Sequence, residues 1–341
     1  MSAYPVAEGK GFLKLDAMEN PYELSDELRQ VFGARLAALP INRYPVPSYT
    51  PLKTAIRDAF EIPSTHPVVV GNGSDELISM LALLVRGCGP ILAPAPSFVM
   101  YEIGARLTGS RFVGVALDEQ FQLRLPAMLE AIEQHRPALV YLAYPNNPTG
   151  APFDRAAVQA IIETAPGLVV IDEAYQPFAG TTWMHHLPAY PNLVVMRTVS
   201  KIGLAGIRIG YLSAAPEITA ELEKVRPPYN ISVLDEAAAL FALEHKKVLD
   251  EQAALLVKAR SSMQQALNEL AGVTAYESAT NFVLARLPDG DAMHQALFER
   301  QIMVRNVGKM HPLLNNCLRL TVSTPAENDQ LLAAMKSILT S

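Results

Sequence analysis

Seven apolar runs of strand length, separated by longer amphipathic stretches, constrain this chain more than any other feature of it. The runs cover residues 68–70, 91–93, 112–115, 139–143, 168–171, 194–197 and 209–212. Ahead of them, residues 51–60 place Leu52, Ile56 and Ala59 on one helical face, and residues 74–85 read as a buried helix that opens with Ser, Asp and Glu. Strands alternating with helices predict an α/β fold on a mainly parallel seven-stranded sheet. Ligands of such sheets bind beyond the carboxyl ends of the strands, so the polar residues that follow the runs are the candidates for function.

After Arg226-Pro227-Pro228 the texture changes. An Ala/Leu/Glu/Lys-rich region over 233–272 predicts two helices. Strands near 282–287 and 318–322, with helices around 291–300 and 326–339, predict a smaller α+β domain. The first 45 residues, with Pro5, Pro21, Pro40, Pro45 and Pro47, read as an arm lying over something else. The expected division is an arm over 1–45 that packs with the small domain and a partner subunit, a large ligand-binding domain over 46–228 and a small domain over 229–341.

With 28 Lys and Arg against 34 Asp and Glu, the net charge is −6, and a nucleic-acid or anionic-membrane partner lacks the basic footprint it needs. The apolar stretches at 78–85 and 237–243 are far shorter than the ~18–20 residues of a membrane span. No apolar segment with a small-residue cleavage site opens the sequence, so export is not expected. Cys88 and Cys317 form no CxxC, which predicts neither disulfide framework nor thiolate zinc site and suits a reducing cytoplasm.

Three familiar motifs fail on spacing. Gly71-Asn72-Gly73 lacks the third glycine of a dinucleotide fingerprint, since Glu76 stands there. Val169-Val170-Ile171-Asp172-Glu173 resembles an acidic NTPase strand, yet the chain has no P-loop. No GxSxG or HExxH occurs, and adjacent His185-His186 cannot share one helical face, so no metal site is expected.

What remains is a series of polar residues in a consistent order: Asn147 within Asn146-Asn147-Pro148-Thr149-Gly150, Asp172 and Tyr175, Ser200-Lys201, Arg208 and Arg319. Singly, each has a plain reading: the Asn-Pro-Thr-Gly stretch as a turn, Asp172 as a helix cap, Lys201 as a solvated lysine. Jointly they meet the needs of pyridoxal 5'-phosphate. That cofactor requires a lysine to condense with its aldehyde and an aspartate to keep its ring nitrogen protonated, roles that suit Lys201 and Asp172. Asn147 and Tyr175 can donate to its 3'-oxygen. Its phosphate needs a helix N-terminus and a cation, available in Gly73-Ser74-Asp75-Glu76, Ser200 and Arg208.

These segments, with residues 15–22, Asn42-Arg43-Tyr44-Pro45 and 317–321, run through nearly the whole chain in an order that resembles the aspartate-aminotransferase-type (fold type I) pyridoxal-phosphate enzymes, and among them the histidinol-phosphate aminotransferases. The resemblance implies that Lys201 carries the cofactor and shuttles the substrate's α-proton, and that Asp172 binds the ring nitrogen. It also implies that Phe98 stacks on the ring, although a plain core role fits Phe98 too. Tyr44 would reach the cofactor phosphate of a partner subunit, which implies a homodimer with shared active sites. Arg319 would grip the carboxylate of glutamate or 2-oxoglutarate, whose planar geometry suits a guanidinium fork. Arg305 would take the phosphate of histidinol phosphate, or be a surface arginine after a short strand. Asn20 and Tyr22 would cover the substrate, or form only a turn.

Two departures from relatives stand out. Lys201 and Arg208 are seven positions apart where many relatives have eight, which demands a tighter loop. Met18 stands where many have asparagine. The implied reaction is transamination between histidinol phosphate and 2-oxoglutarate in histidine biosynthesis. An aromatic aminotransferase or a threonine-phosphate decarboxylase on the same fold are the alternatives, and a non-catalytic regulator keeping the cofactor fold is the rival of another class.

Overall fold

A computed structural model of the protein describes residues 9–340; the first eight residues of the expected arm, Pro5 among them, lie outside these. The chain enters through a short strand, β1 (Leu13–Leu15), and a helix, α1 (Asp26–Ala37). It then builds a sheet from β2 (Val68–Asn72), β3 (Ile91–Ala95), β4 (Phe112–Ala116), β5 (Leu139–Ala143), β6 (Leu168–Asp172), β7 (Leu193–Thr198) and β8 (Ile209–Ala214), at the places where the apolar runs predict strands. The order across this sheet is β2-β8-β7-β6-β5-β3-β4. Its neighbours pair parallel except around β8, which is antiparallel to both β2 and β7.

The central strands are apolar along most of their length because both faces are covered, and their polar residues cluster at the carboxyl ends, Asp172 in β6 and Thr198 in β7. Val68 and Val70 pack on one side and Val69 on the other; Val169 and Ile171 divide from Val170 in the same way. From β3 the chain steps to β4 on one side, and from β5 it proceeds through β6 and β7 on the other. β3 pairs with β5 at Ile91↔Leu139 and Leu92↔Val140, whereas the β5–β6 ladder continues to Ala143↔Asp172. A crevice therefore opens at the carboxyl ends of β3 and β5, the switch point at which doubly wound sheets bind ligands.

The second sheet has the order β1-β11-β12-β10-β9, with β9 (Thr274–Ala275), β10 (Phe282–Arg286), β11 (Ile302–Asn306) and β12 (Cys317–Thr321). At its edge β1 pairs parallel with β11, Leu13 opposite Ile302. The start of the N-terminal segment is thus part of the small sheet. A three-residue strand carries too little periodicity to be read in isolation. Helix α1 is also unannounced, since none of its residues is buried; Ser25 caps it, and Arg35 holds Glu244 through two 2.8 Å bonds. The two helices expected after Pro228 are Val233–Glu244 and Lys246–Asn268.

Candidate active site

The strand ends converge on one cavity of about 360 Å³. β6 delivers Asp172 as its last residue, and Tyr175 follows within one turn. β7 ends at Thr198 and passes into a 3-10 turn, Ser200–Ile202, that carries Lys201. β5 leads into the turn holding Asn147, and β3 into Phe98 and then the helix Met100–Thr108. From β2, the helix Gly73–Leu84 starts at the cavity and presents Ser74 and Asp75. Ser74, Asp75, Phe98, Asn147, Asp172, Tyr175, Ser200, Lys201 and Arg208 all line the space.

The short loop between Lys201 and Arg208 is made of two 3-10 turns, Ser200–Ile202 and Ala205–Ile207, joined through Gly203 at φ 122°. Arg208 itself takes a left-handed conformation at φ 50°, sparsely populated for a non-glycine residue and so held by its surroundings. Its guanidinium lies over Gly73, where a Cβ would meet Nη2 at 2.6 Å, and it bonds Asp75 at 3.3 Å. Beside it Thr198 and Ser200 share a hydroxyl bond of 2.9 Å. A cation, two hydroxyls and the amino end of a 12-residue helix thus surround one corner, a donor set suited to a phosphate.

At the opposite end Asp172 is buried, and its Oδ1 accepts from the Ala174 amide at 3.1 Å while Oδ2 accepts from the Tyr101 hydroxyl at 2.8 Å. Burial pushes its carboxyl up to about 6, against the pull of those two donors. The Lys201 amine moves the other way, down to about 8, through burial first and then the positive charges of Arg319 and Arg208. Lys201 Nζ donates to the Ala17 carbonyl at 3.3 Å. An amine that sheds its proton near neutrality can act as nucleophile and base.

Asn147 receives Arg319 Nη1 on its Oδ1 at 2.8 Å, so its amide nitrogen is the donor it offers to the cavity. Arg319 also donates to the Asp16 carbonyl at 2.8 Å. Arg305 stands directly opposite Arg319 on the neighbouring strand, which places the two side chains on one face of the second sheet.

Several expected residues stand elsewhere. Glu76, grouped in sequence with Ser74 and Asp75, turns away: its carboxylate accepts from the Asn72 amide at 2.6 Å and from Asn230 at 2.7 Å, because the fourth residue of the helix points to a different side from the second and third. Asn20 spends its amide on Ile202 O and Gln252 and its oxygen on the Tyr22 amide, so it ties the N-terminal segment to the lysine loop. Tyr22 lines a separate groove with Leu255, Met263 and Leu332. Tyr44 is 79% exposed and stacks on Tyr229 at 4.6 Å, with no place in this cavity.

Sequence reasoning missed Tyr101, Thr198, Glu19 and Met18 in the lining and Asn146 behind it. Tyr101 lies in the first turn of the helix Met100–Thr108, three positions after Phe98. Asn146 binds Pro96 O, Thr149 and Ser97 and so joins the two loops flanking the crevice. Met18 adopts φ 55°, a left-handed conformation that asparagine tolerates better than methionine does.

Residues 10–335 match the family model of class I and II aminotransferases. The chain is 53% identical to "Histidinol-phosphate aminotransferase 2" of Cupriavidus pinatubonensis, over 99% of this chain and 94% of that one. It is 51% identical to "Histidinol-phosphate aminotransferase 1" of Ralstonia nicotianae, over 99% and 92%. A crystal structure of histidinol-phosphate aminotransferase from Sinorhizobium meliloti, in complex with pyridoxal-5'-phosphate, superposes with a TM-score of 0.88 at 26% identity, over 99% of this chain and 96% of that one. The chain belongs to the class I and II aminotransferases and, within them, to the histidinol-phosphate aminotransferase family.

Proposed function

We propose that the protein uses pyridoxal 5'-phosphate to transfer an amino group between L-histidinol phosphate and 2-oxoglutarate, giving imidazole-acetol phosphate and L-glutamate. The observation that carries this reading is the pairing, within one cavity, of an amine near neutrality at Lys201 with a buried carboxylate at Asp172. The donor set fits the cofactor, with a cation and hydroxyls at one end and a hydrogen-bonded carboxylate at the other. Pyridoxal 5'-phosphate supplies an aldehyde that takes up the amino group and a protonated ring that draws electrons from the α-carbon.

Asp172 holds the proton on the ring nitrogen, and Phe98 covers the ring face. Asn147 and Tyr175 donate to the 3'-oxygen. Ser74, Ser200 and Arg208 hold the phosphate, with Asp75 orienting Arg208. Lys201, once free, takes the proton from the substrate's α-carbon and returns it on the other side of the exchange. Arg319 binds the carboxylate of glutamate. Arg305 beside it adds a second positive charge, and two like charges facing each other across strands favour a bound anion between them, such as the phosphate of histidinol phosphate.

We also infer a cytoplasmic homodimer in which Tyr44 completes the partner's phosphate site. Ile41, Tyr44 and Val46 are each more than 65% exposed along one loop, an apolar surface that a second copy would cover. The division at 45 and 228 is retained, with residues 229–341 supplying all of the second sheet except β1. Purified protein assayed with 2-oxoglutarate should favour histidinol phosphate over phenylalanine and tyrosine and release no carbon dioxide from threonine phosphate. Preference for an aromatic amino acid, or decarboxylation, would replace this reading with one of its rivals.

A further inference from the structure

We infer that Tyr101 is a positioning residue that keeps the Asp172 carboxylate charged and aimed at the cofactor's ring nitrogen. This rests on the proposed use of pyridoxal 5'-phosphate. The phenol of Tyr101 is 1% exposed and donates to Asp172 Oδ2 at 2.8 Å. Its ring is clamped on both sides: it lies flat on Tyr141, centroids 4.3 Å apart and planes 3° from parallel, and meets Phe98 edge-on at 5.7 Å. The hydroxyl therefore has little freedom to leave the carboxylate.

A buried carboxylate with no donor takes up a proton to escape the cost of desolvation. Asp172 has two donors in the structure, the Ala174 amide on one oxygen and Tyr101 on the other. The amide is fixed by the backbone, so the phenol is the donor that sequence can change. Tyr101 remains a donor at any working pH, because burial, and then the charge of Asp172, hold its own ionisation well above the usual tyrosine range. The same phenol bars one side of the carboxylate, which directs the remaining lone pairs toward the cavity that both residues line.

The test uses Tyr101→Phe, which keeps the ring and its stack and removes the bond. Dissociation constants would be measured on cofactor-free protein across a range of pH, for pyridoxal 5'-phosphate and for its 1-deaza analogue, which has no ring nitrogen. Tyr101→Phe should weaken pyridoxal 5'-phosphate about tenfold and move the acid limb of its binding up by about one pH unit, the size of a lost hydrogen bond to a charged group. Affinity for the deaza analogue should not change. Tyr141→Phe removes a hydroxyl that donates to Ile78 O instead, and should leave both affinities as they are. Equal weakening of both ligands, or of neither, would overturn the role of Tyr101 while leaving the cofactor assignment intact. Failure of the unaltered protein to bind pyridoxal 5'-phosphate would overturn the cofactor assignment itself. If Tyr101→Phe unfolds, Tyr101→His, which can still donate, should show the selective loss only in part; an unselective loss there counts against the proposal.

Discussion

On one wall of the cavity, Asn147, Asp172 and Lys201 follow successive strands of a single sheet, each within a few residues of its strand's end. The other wall is the segment Ala17-Met18-Glu19, tied down by β12: Arg319 donates to Asp16 O, 303 positions away, and Thr321 accepts from the Met18 amide over the same distance. The first wall is set by strand order alone, and its side chains inherit the rigidity of a sheet packed on both faces. The second wall forms only when both ends of the chain meet in the second sheet. This contrast suggests a division of labour, with chemistry on the rigid wall and substrate choice on the assembled one.

Substitutions on the rigid wall should have the largest effects. Lys201→Ala should reduce turnover in both half-reactions by several orders of magnitude while the protein still binds cofactor, because the proton at the α-carbon loses its base; single-turnover absorbance would show it. Asp172→Asn should also lower turnover strongly, with an opposite effect on stability. Its carboxyl titrates at about 6 in the fold against an ordinary 3.8. A raised carboxyl pKa contributes stability that is complete below the ordinary value and lost as pH rises through 6. The cofactor-free variant should therefore be more stable than the native protein at neutral pH, by up to about 3 kcal/mol. Chemical denaturation at two pH values checks this, and a less stable variant would break the assignment of Asp172 as a functional rather than structural acid.

Substitutions on the assembled wall should separate the substrates. Arg319→Ala should chiefly impair glutamate and Arg305→Ala chiefly histidinol phosphate, each by roughly 2–5 kcal/mol in half-reaction efficiency, since each removes one partner of a desolvated charge pair. Some cross-effect of Arg319 on histidinol phosphate is expected, because one site serves both substrates. Equal losses on both substrates from Arg305→Ala would erase the contrast between the walls. The smallest effect belongs to Tyr44, which lies outside both walls of its own chain. Tyr44→Phe should weaken cofactor binding by about 1 kcal/mol if its phenol reaches a partner's phosphate, and a dilution series would link that loss to dimerisation.

The same contrast governs what could be read from sequence. The central strands of the large sheet are apolar runs of five or six residues that lead into polar residues, so Asp172, Asn147 and Lys201 are legible in the sequence alone. Arg319 was legible as a residue but its meeting with Asn147 was not, because strand pairing between distant segments leaves no local pattern. Glu76 misled for a related reason: its neighbours in sequence face the cavity, while the helical turn sends it to Asn72 and Asn230. Asn20 and Tyr22 follow β1, whose pairing with β11 decides where they go. Tyr101 was hidden by its type, since a buried tyrosine among aromatics reads as core until the bond to Asp172 is seen.

The central claim is that the cavity at the carboxyl edge of the large sheet holds pyridoxal 5'-phosphate on Lys201. Borohydride reduction of the cofactor-loaded protein, followed by peptide mass mapping, tests it most directly. A pyridoxyl group on the peptide containing Lys201, absent from Lys201→Ala, is the result predicted; the same group on a different lysine, with Lys201 unmodified, would contradict it.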